Sequence, residues 1–266
     1  LPAQRLRLQA DQLTGMAAGM QLVTPGLVLR EVKIGEADRI LTVLTPELGV
    51  ISVSAKGSLR LKSKLFSACG LFCYSEFTLF AGKNMYLAND AQVKKVFFGL
   101  HESVEAMALA MYLAELALTL SPVGGEAEAL LRLTLNSLYL ISEGKKPLPQ
   151  IKAVFELRAV CEAGFMPDLL CCRGCQKYDG GDFYFDGSAG LLLCADCAAR
   201  QNKTPNLDPA ALLALRHIAL VEDKKIFSFS IPQKSMEALG RVTERYALQV
   251  LDKPMKTLDF VHTMLS

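Results

Sequence analysis

The chain has 266 residues, a hydrophobic fraction of 51% and a formal net charge of only +2. That length allows one large domain or two to three small ones with a substantial buried core, and so small a net charge carries no information about partners. No uninterrupted apolar run reaches the roughly 18 residues that a membrane-spanning helix needs, so no membrane association is expected.

Residues 1–21 read as a leader or tag, expected to be disordered. Arg5 and Arg7 precede no compact apolar stretch of the signal-peptide kind, and Met16 or Met20 could each serve as a start. From Leu22 to Phe98 the pattern is that of β structure. Gly26–Val32, Arg39–Thr45, Val50–Ala55, Phe72–Phe80 and Met85–Ala88 alternate or are β-branched, and turn residues separate them, as in Gly35-Glu-Ala-Asp38, Pro46-Glu-Leu-Gly49 and Gly82-Lys-Asn84. Five short strands in about 75 residues predict a small closed barrel of the OB type, with an SH3-like barrel as the nearest rival. Between Lys56 and Lys64 the sequence has four bases and no acid, without apolar periodicity, and reads as a basic loop.

From His101 the period becomes helical. Val104–Leu120, Glu126–Ile141 and Pro149–Ala163 are long, apolar segments closed by Ser121-Pro122, Gly144 and Gly164. Asp208 is placed to cap a helix reaching Val221, and further helices are predicted over Pro232–Val250 and Leu258–Leu265. Between the two helical runs lie Cys172-Arg-Gly-Cys175 and Cys194-Ala-Asp-Cys197, two C-x2-C pairs 18 residues apart. A C-x2-C turn presents two thiolates to one tetrahedral ion, and the run between the pairs reads as a hairpin: Phe183–Phe185, an Asp186-Gly187 turn, then Leu191–Leu193. This predicts a structural zinc ribbon with Cys172, Cys175, Cys194 and Cys197 as ligands. Cys171 lacks the two-residue spacing to Cys175. Four thiolates close the coordination shell, which argues against a catalytic zinc, and two pairs around a hairpin do not match a single redox C-x-x-C beside a βαβ unit. Zinc-spaced cysteines without a secretion signal point to a reducing, cytoplasmic setting.

The expected architecture is therefore multidomain α+β: an OB-fold barrel over residues 22–98, a helical domain in two parts (99–165 and 201–266), and a four-cysteine zinc-binding module (166–200) inserted in it. No catalytic constellation accompanies it. His101, His217 and His262 stand alone on or beside helices, Ala55-Lys-Gly-Ser58 lacks the upstream glycines of a phosphate-binding loop, and neither G-x-S-x-G nor G-x-G-x-x-G occurs. The chain is not expected to be an enzyme.

A set of short motifs occurs in order: Gly26-Leu-Val-Leu-Arg30, Gly35-Glu-Ala-Asp-Arg-Ile40, Leu44-Thr45, Leu48-Gly-Val50, Ala55-Lys-Gly57, Ser63-Lys64, Tyr112-Leu-Ala-Glu115, Phe155-Glu-Leu-Arg158, Gly164-Phe-Met-Pro167 and the four cysteines. In this the chain resembles the RecO family of bacterial recombination-mediator and DNA-repair proteins over residues 22 to 200. The final helices fit in kind without a sharp motif, and some family members lack the zinc cysteines. The resemblance implies binding of single- and double-stranded DNA, annealing of complementary strands and partnership with RecR. It further implies help in loading RecA onto strands coated by single-stranded-DNA-binding protein (SSB), contact with the SSB C-terminal tail, and a bacterial cytoplasmic, nucleoid-associated location.

A barrel that holds nucleic acid without sequence preference needs bases along the phosphate path. The candidates are Arg30, Lys33, Arg39, Lys56, Arg60, Lys62 and Lys64; Arg39 has a competing ion-pair partner within Glu36-Ala-Asp38. Phe72, Tyr74 and Phe80 alternate with polar positions as core residues do, and Lys145, Lys146 and Lys152 offer ground for an acidic tail. The alternative is a non-catalytic protein-interaction scaffold with an incidental basic loop.

Overall fold

The structure, a computed structural model, describes residues 20–122 and 124–265. Residues 1–19, most of the expected leader, lie outside the described residues. The rest divides into two compact units: residues up to Leu100 with Ala117–Tyr139, and His101–Leu116 with the residues from Leu140 onward. The division falls within two long helices, α2 (Val104–Leu120) and α3 (Glu128–Ser142).

The first unit is a closed five-stranded barrel. Its strands are β1 (Gln21–Ile34), β2 (Asp38–Thr45), β3 (Gly49–Ala55), β4 (Tyr74–Ala81) and β5 (Tyr86–Lys95), in the order β1-β2-β3-β5-β4. β1 pairs antiparallel with both β2 and β4, and closure comes from a short parallel pairing of β3 with β5. This is an OB-like barrel. Period-two alternation sends Leu41, Val43, Ile51, Val53, Phe77, Leu79 and Tyr86 inward, where they are essentially inaccessible. A short helix, α1 (Leu65–Ala68), adds Leu65 and Ala68 to the same core.

Two strands run longer than alternation predicts. β1 carries a register shift between Val28 and Arg30, the kind of bulge that lets one strand bend around a barrel and serve two neighbours. β5 continues through Asn89-Asp90, residues that in sequence favour a turn, because its backbone pairs with β4. Phe72 belongs to no strand: it takes the left-handed conformation (φ 58°), its N–H bonds the Val28 carbonyl at 2.8 Å, and its ring is buried.

The second unit holds α4 (Leu148–Glu162), β6 (Asp168–Cys172), β7 (Phe183–Asp186), β8 (Leu191–Cys194), α5 (Ala195–Ala199), α6 (Pro209–Leu220), α7 (Gln233–Leu251) and α8 (Leu258–Leu265). α4 is buried nearly all round, as expected of a helix without a polar face. Its two charged core residues are joined to each other and to neighbouring helices. Glu156 accepts hydrogen bonds from the Tyr112 hydroxyl (2.8 Å), the Lys152 ammonium (2.6 Å) and the Thr243 hydroxyl (2.8 Å). Lys152 also reaches Glu244 at 2.6 Å, and Glu244 meets His262 on α8 at 2.8 Å. Burial alone would push the Lys152 pKa down, but the Glu156 and Glu244 carboxylates outweigh it and hold the ammonium above its ordinary value. Lys152 is thus committed to the core, and the expectation that it offers ground for an acidic tail is corrected.

Removing one partner from a buried ionic network strands the others. Glu156→Ala should destabilise the second unit by about 3–5 kcal/mol in chemical denaturation. The double change Lys152→Met with Glu156→Leu should cost less than Glu156→Ala alone, since it leaves no unpaired charge between those positions.

Candidate nucleic-acid interface and metal centre

Strand register brings three connections of the barrel to one end. Arg39 lies opposite Ala55, which sets the start of β2 beside the end of β3, and Val53 lies opposite Tyr86, which sets the start of β5 there as well. The β1–β2 turn (35–37), the segment after β3 and the β4–β5 turn (82–85) therefore open together. OB barrels hold oligonucleotides with the face of strands 2–3 and the loops between strands 1–2 and 4–5. The basic segment joins that group through hydrogen bonds. Gly57 N–H donates to Asp38 Oδ1 at 2.7 Å, and Leu59 N–H to the Ala37 carbonyl at 2.9 Å. Gly57 has φ 67°, a conformation glycine adopts without strain. Asp38 is thus spent on the loop backbone.

Lys56, Arg60, Lys62 and Lys64 are all exposed, as are Arg30 and Lys33 on β1. None of the six is in an ion pair among the described residues. Arg39 does not join them. It sits in the inward row of β2 with Leu41 and Val43, is 8% exposed, lies 3.4 Å from Glu31, and donates to the Phe66 carbonyl at 3.1 Å. The competing carboxylate proves to be Glu31, across the β1–β2 pairing, and the alternation of β2 was the available signal. Phe72 is buried, and Tyr74 and Phe80 are half-buried. Lys83, read from the sequence only as part of a turn, is exposed at the same end of the barrel.

In the second unit the sulfur atoms of Cys172, Cys175, Cys194 and Cys197 lie within 4.8 Å of one another, with Cys175 and Cys194 3.5 Å apart. A tetrahedral zinc with bonds of about 2.3 Å puts its sulfurs about 3.8 Å apart, so the four could hold such an ion. Cys171 is not part of the group. β6 and β8, parallel neighbours, supply Cys172 and Cys194, and α5 supplies Cys197. Cys172 closes its own turn: its N–H bonds the Lys177 carbonyl and its carbonyl takes the Gln176 N–H, both at 2.8 Å. Gly174 donates its N–H to Cys172 Sγ at 3.4 Å, and a Cβ there would stand 2.9 Å from Cys197 Sγ. Burial pushes the Cys172 thiol up, but backbone N–H groups of Cys194, Gly174 and Cys175 prevail and bring it to about 6. Burial and neighbouring thiols push Cys197 up to about 12. A bound cation is what allows four adjacent thiols to ionise together.

Residues 20–97 match the family model described as Recombination protein O N terminal, and residues 101–259 the one described as Recombination protein O C terminal. The chain belongs to the RecO family. It is 34% identical over 243 residues to the DNA repair protein RecO of Acetivibrio thermocellus, covering 91% of this chain and 97% of that one. It is 33% identical over 245 residues to the protein of that name from Caldicellulosiruptor bescii, covering 91% and 98%. The Dehalococcoides mccartyi protein of that name is 32% identical over 236 residues, covering 88% and 92%.

The motifs that carry the RecO likeness divide by role. In the barrel, Gly35–Ile40 and Ala55–Gly57 build the end where the connections converge, through Asp38 and Gly57, whereas Leu44-Thr45 and Leu48–Val50 flank the β2–β3 turn, with Thr45 opposite Gly49. Those of the helical unit are scaffold: Tyr112 and Glu156 belong to the buried network, and Glu115 holds the turn that leads into α8 by accepting from the backbone of Lys256 and Thr257 at 3.1 and 2.9 Å. Arg158 pairs with Asp223 at 2.6 Å and donates to carbonyls at the end of α6. The four-cysteine module is tied to this scaffold by residues without a sequence signal. Arg216 donates to the carbonyls of Leu169, Leu170 and Tyr178 at 2.8, 3.0 and 2.7 Å, with its guanidinium 4.2 Å over the Tyr178 ring. Tyr246 donates to the Phe165 carbonyl at 2.9 Å and meets Phe185 edge-on. His217 likewise has a structural partner, the Lys225 carbonyl at 2.8 Å.

Because Gly174 has no room for a side chain against the sulfurs, Gly174→Ala should lower metal affinity in a chelator-competition titration while leaving the barrel's unfolding unchanged.

Proposed function

We propose that this RecO-family chain is a recombination mediator in DNA repair. On this reading it binds single- and double-stranded DNA and anneals complementary strands. With RecR it helps load RecA onto SSB-coated single strands, and it receives the SSB C-terminal tail outside the barrel. It works in the bacterial cytoplasm, with the nucleoid, and needs no catalytic residue of its own.

The observation that carries the DNA-binding part is the placement of Lys56, Arg60, Lys62 and Lys64. They are exposed and in no ion pair among the described residues, on a loop bonded into the end of an OB-like barrel where nucleic-acid-binding loops open. Arg30, Lys33 and Lys83 are further exposed bases of the barrel, while Arg39 holds the barrel end together. Such a surface binds through phosphates, so affinity depends steeply on salt and little on sequence. The four cysteines hold a structural zinc ion, supported by their closed, all-thiol donor set.

Charge reversal at Lys56, Arg60, Lys62 and Lys64 together should weaken single-strand binding. It should also flatten the salt dependence by about 0.7 in log–log slope for each phosphate that the loop no longer engages. An unchanged slope in a folded variant removes the loop from the site. Cys172→Ser should release zinc, measured by metal analysis, and destabilise the module, because binding energy at such sites is largely folding energy. Single-strand binding by the barrel should survive it. Annealing of SSB-coated complementary strands, with and without RecR, tests the mediator role itself.

A further inference from the structure

We infer that Phe66 is a base-stacking platform of the single-strand site, an assignment that rests on the DNA-binding reading above. α1 turns Leu65 and Ala68 into the barrel core and leaves Phe66 outside, 38% exposed, two residues after Lys64. The ring does not hang free. Arg39, plugging the inward row at the end of the barrel, donates to the Phe66 carbonyl and lies 5.8 Å from the ring centroid. Glu31 in turn holds Arg39. The Phe66 N–H bonds the Ser63 carbonyl at 3.1 Å, which joins the helix to the basic loop. One part of the ring is thus backed by a buried cation, and the exposed part belongs to a helix bonded to the end of the basic loop, whose four bases are in no ion pair among the described residues. Leu61, within the same loop, is 85% exposed. Basic side chains interleaved with apolar ones match the chemistry of a nucleic-acid strand whose phosphates take the lysines and whose unpaired bases need a flat apolar surface. Every base has a π face, so such a platform adds affinity without sequence preference. A duplex hides its bases in the stack, so the platform favours single strands. It acts beside the lysines by a different force, and that difference can be measured.

Phe66→Ala should lower affinity for oligo-dT about 5- to 150-fold, the range for losing one base–aromatic stack. The salt slope should stay as in the wild type, because a neutral ring releases no counterions. Phe66→Leu keeps an apolar contact with Arg39 but has no π face, so it should bind as weakly as Phe66→Ala; wild-type affinity in Phe66→Leu overturns stacking. An abasic oligonucleotide of equal length should bind wild type and Phe66→Ala alike. The chain has no tryptophan, so Phe66→Trp introduces a single indole, whose emission should be quenched by oligo-dT and not by the abasic strand. Undiminished oligo-dT binding by folded Phe66→Ala, or unquenched emission at saturation, overturns the inference. Loss of binding on charge reversal of the loop with no effect at Phe66 overturns this inference alone. Failure of the wild type to bind single strands overturns the DNA-binding reading with it.

Discussion

The barrel depends on a short pairing: β3 runs parallel to β5, with Val53 opposite Tyr86 and Ser54 opposite Leu87. The other strand pairs are antiparallel and could form an open sheet. The parallel contact closes it and removes the free edges that an open sheet would expose. Closure also brings the β4–β5 turn to the end where the β1–β2 turn and the basic segment already lie. The gathering of these connections at one end is a consequence of how the barrel shuts.

In the helical unit the corresponding constraint is electrostatic. A carboxylate with no exposed surface is tolerable only if its charge is matched and its oxygens are hydrogen-bonded. Glu156 meets both conditions with Lys152, Tyr112 and Thr243, drawn from three helices. An apolar core alone permits helices to slide, whereas this set of partners is complete in one arrangement. Glu115 and Arg158 act in the same sense at helix ends, by satisfying backbone groups that would otherwise lack partners.

The four-cysteine module solves a problem of size. Its strands are four or five residues long and cannot bury enough apolar surface to hold themselves. Four sulfur atoms within 4.8 Å of one another could supply the closure by holding an ion, while Arg216 and Tyr246 anchor the module to helices that follow it in the chain. The stretch with the strongest chemical signature is thus tied into the helical scaffold, and the exposed basic segment lies in the other unit.

Much of this was legible in the sequence. Alternation in β2 and β3, the turn residues between strands, the two C-x2-C pairs with their hairpin, and the apolar helices are all local patterns, and local backbone and burial rules suffice to read them. The basic loop was legible as charge. What the tertiary structure decided is which charges are free. Arg39 and Lys152 look in sequence like the other bases, yet each is buried against carboxylates: Glu31, across the β1–β2 pairing, for the first, and for the second Glu156 one helical turn on together with Glu244 brought in from α7. Phe66 looks like any core aromatic until α1 turns it outward. β6 escaped notice because it pairs with β8 across the module rather than by alternation of its own. Residue type and spacing set the available chemistry; exposure and partnership arise only when segments far apart in the chain are packed together, since both are properties of the neighbours.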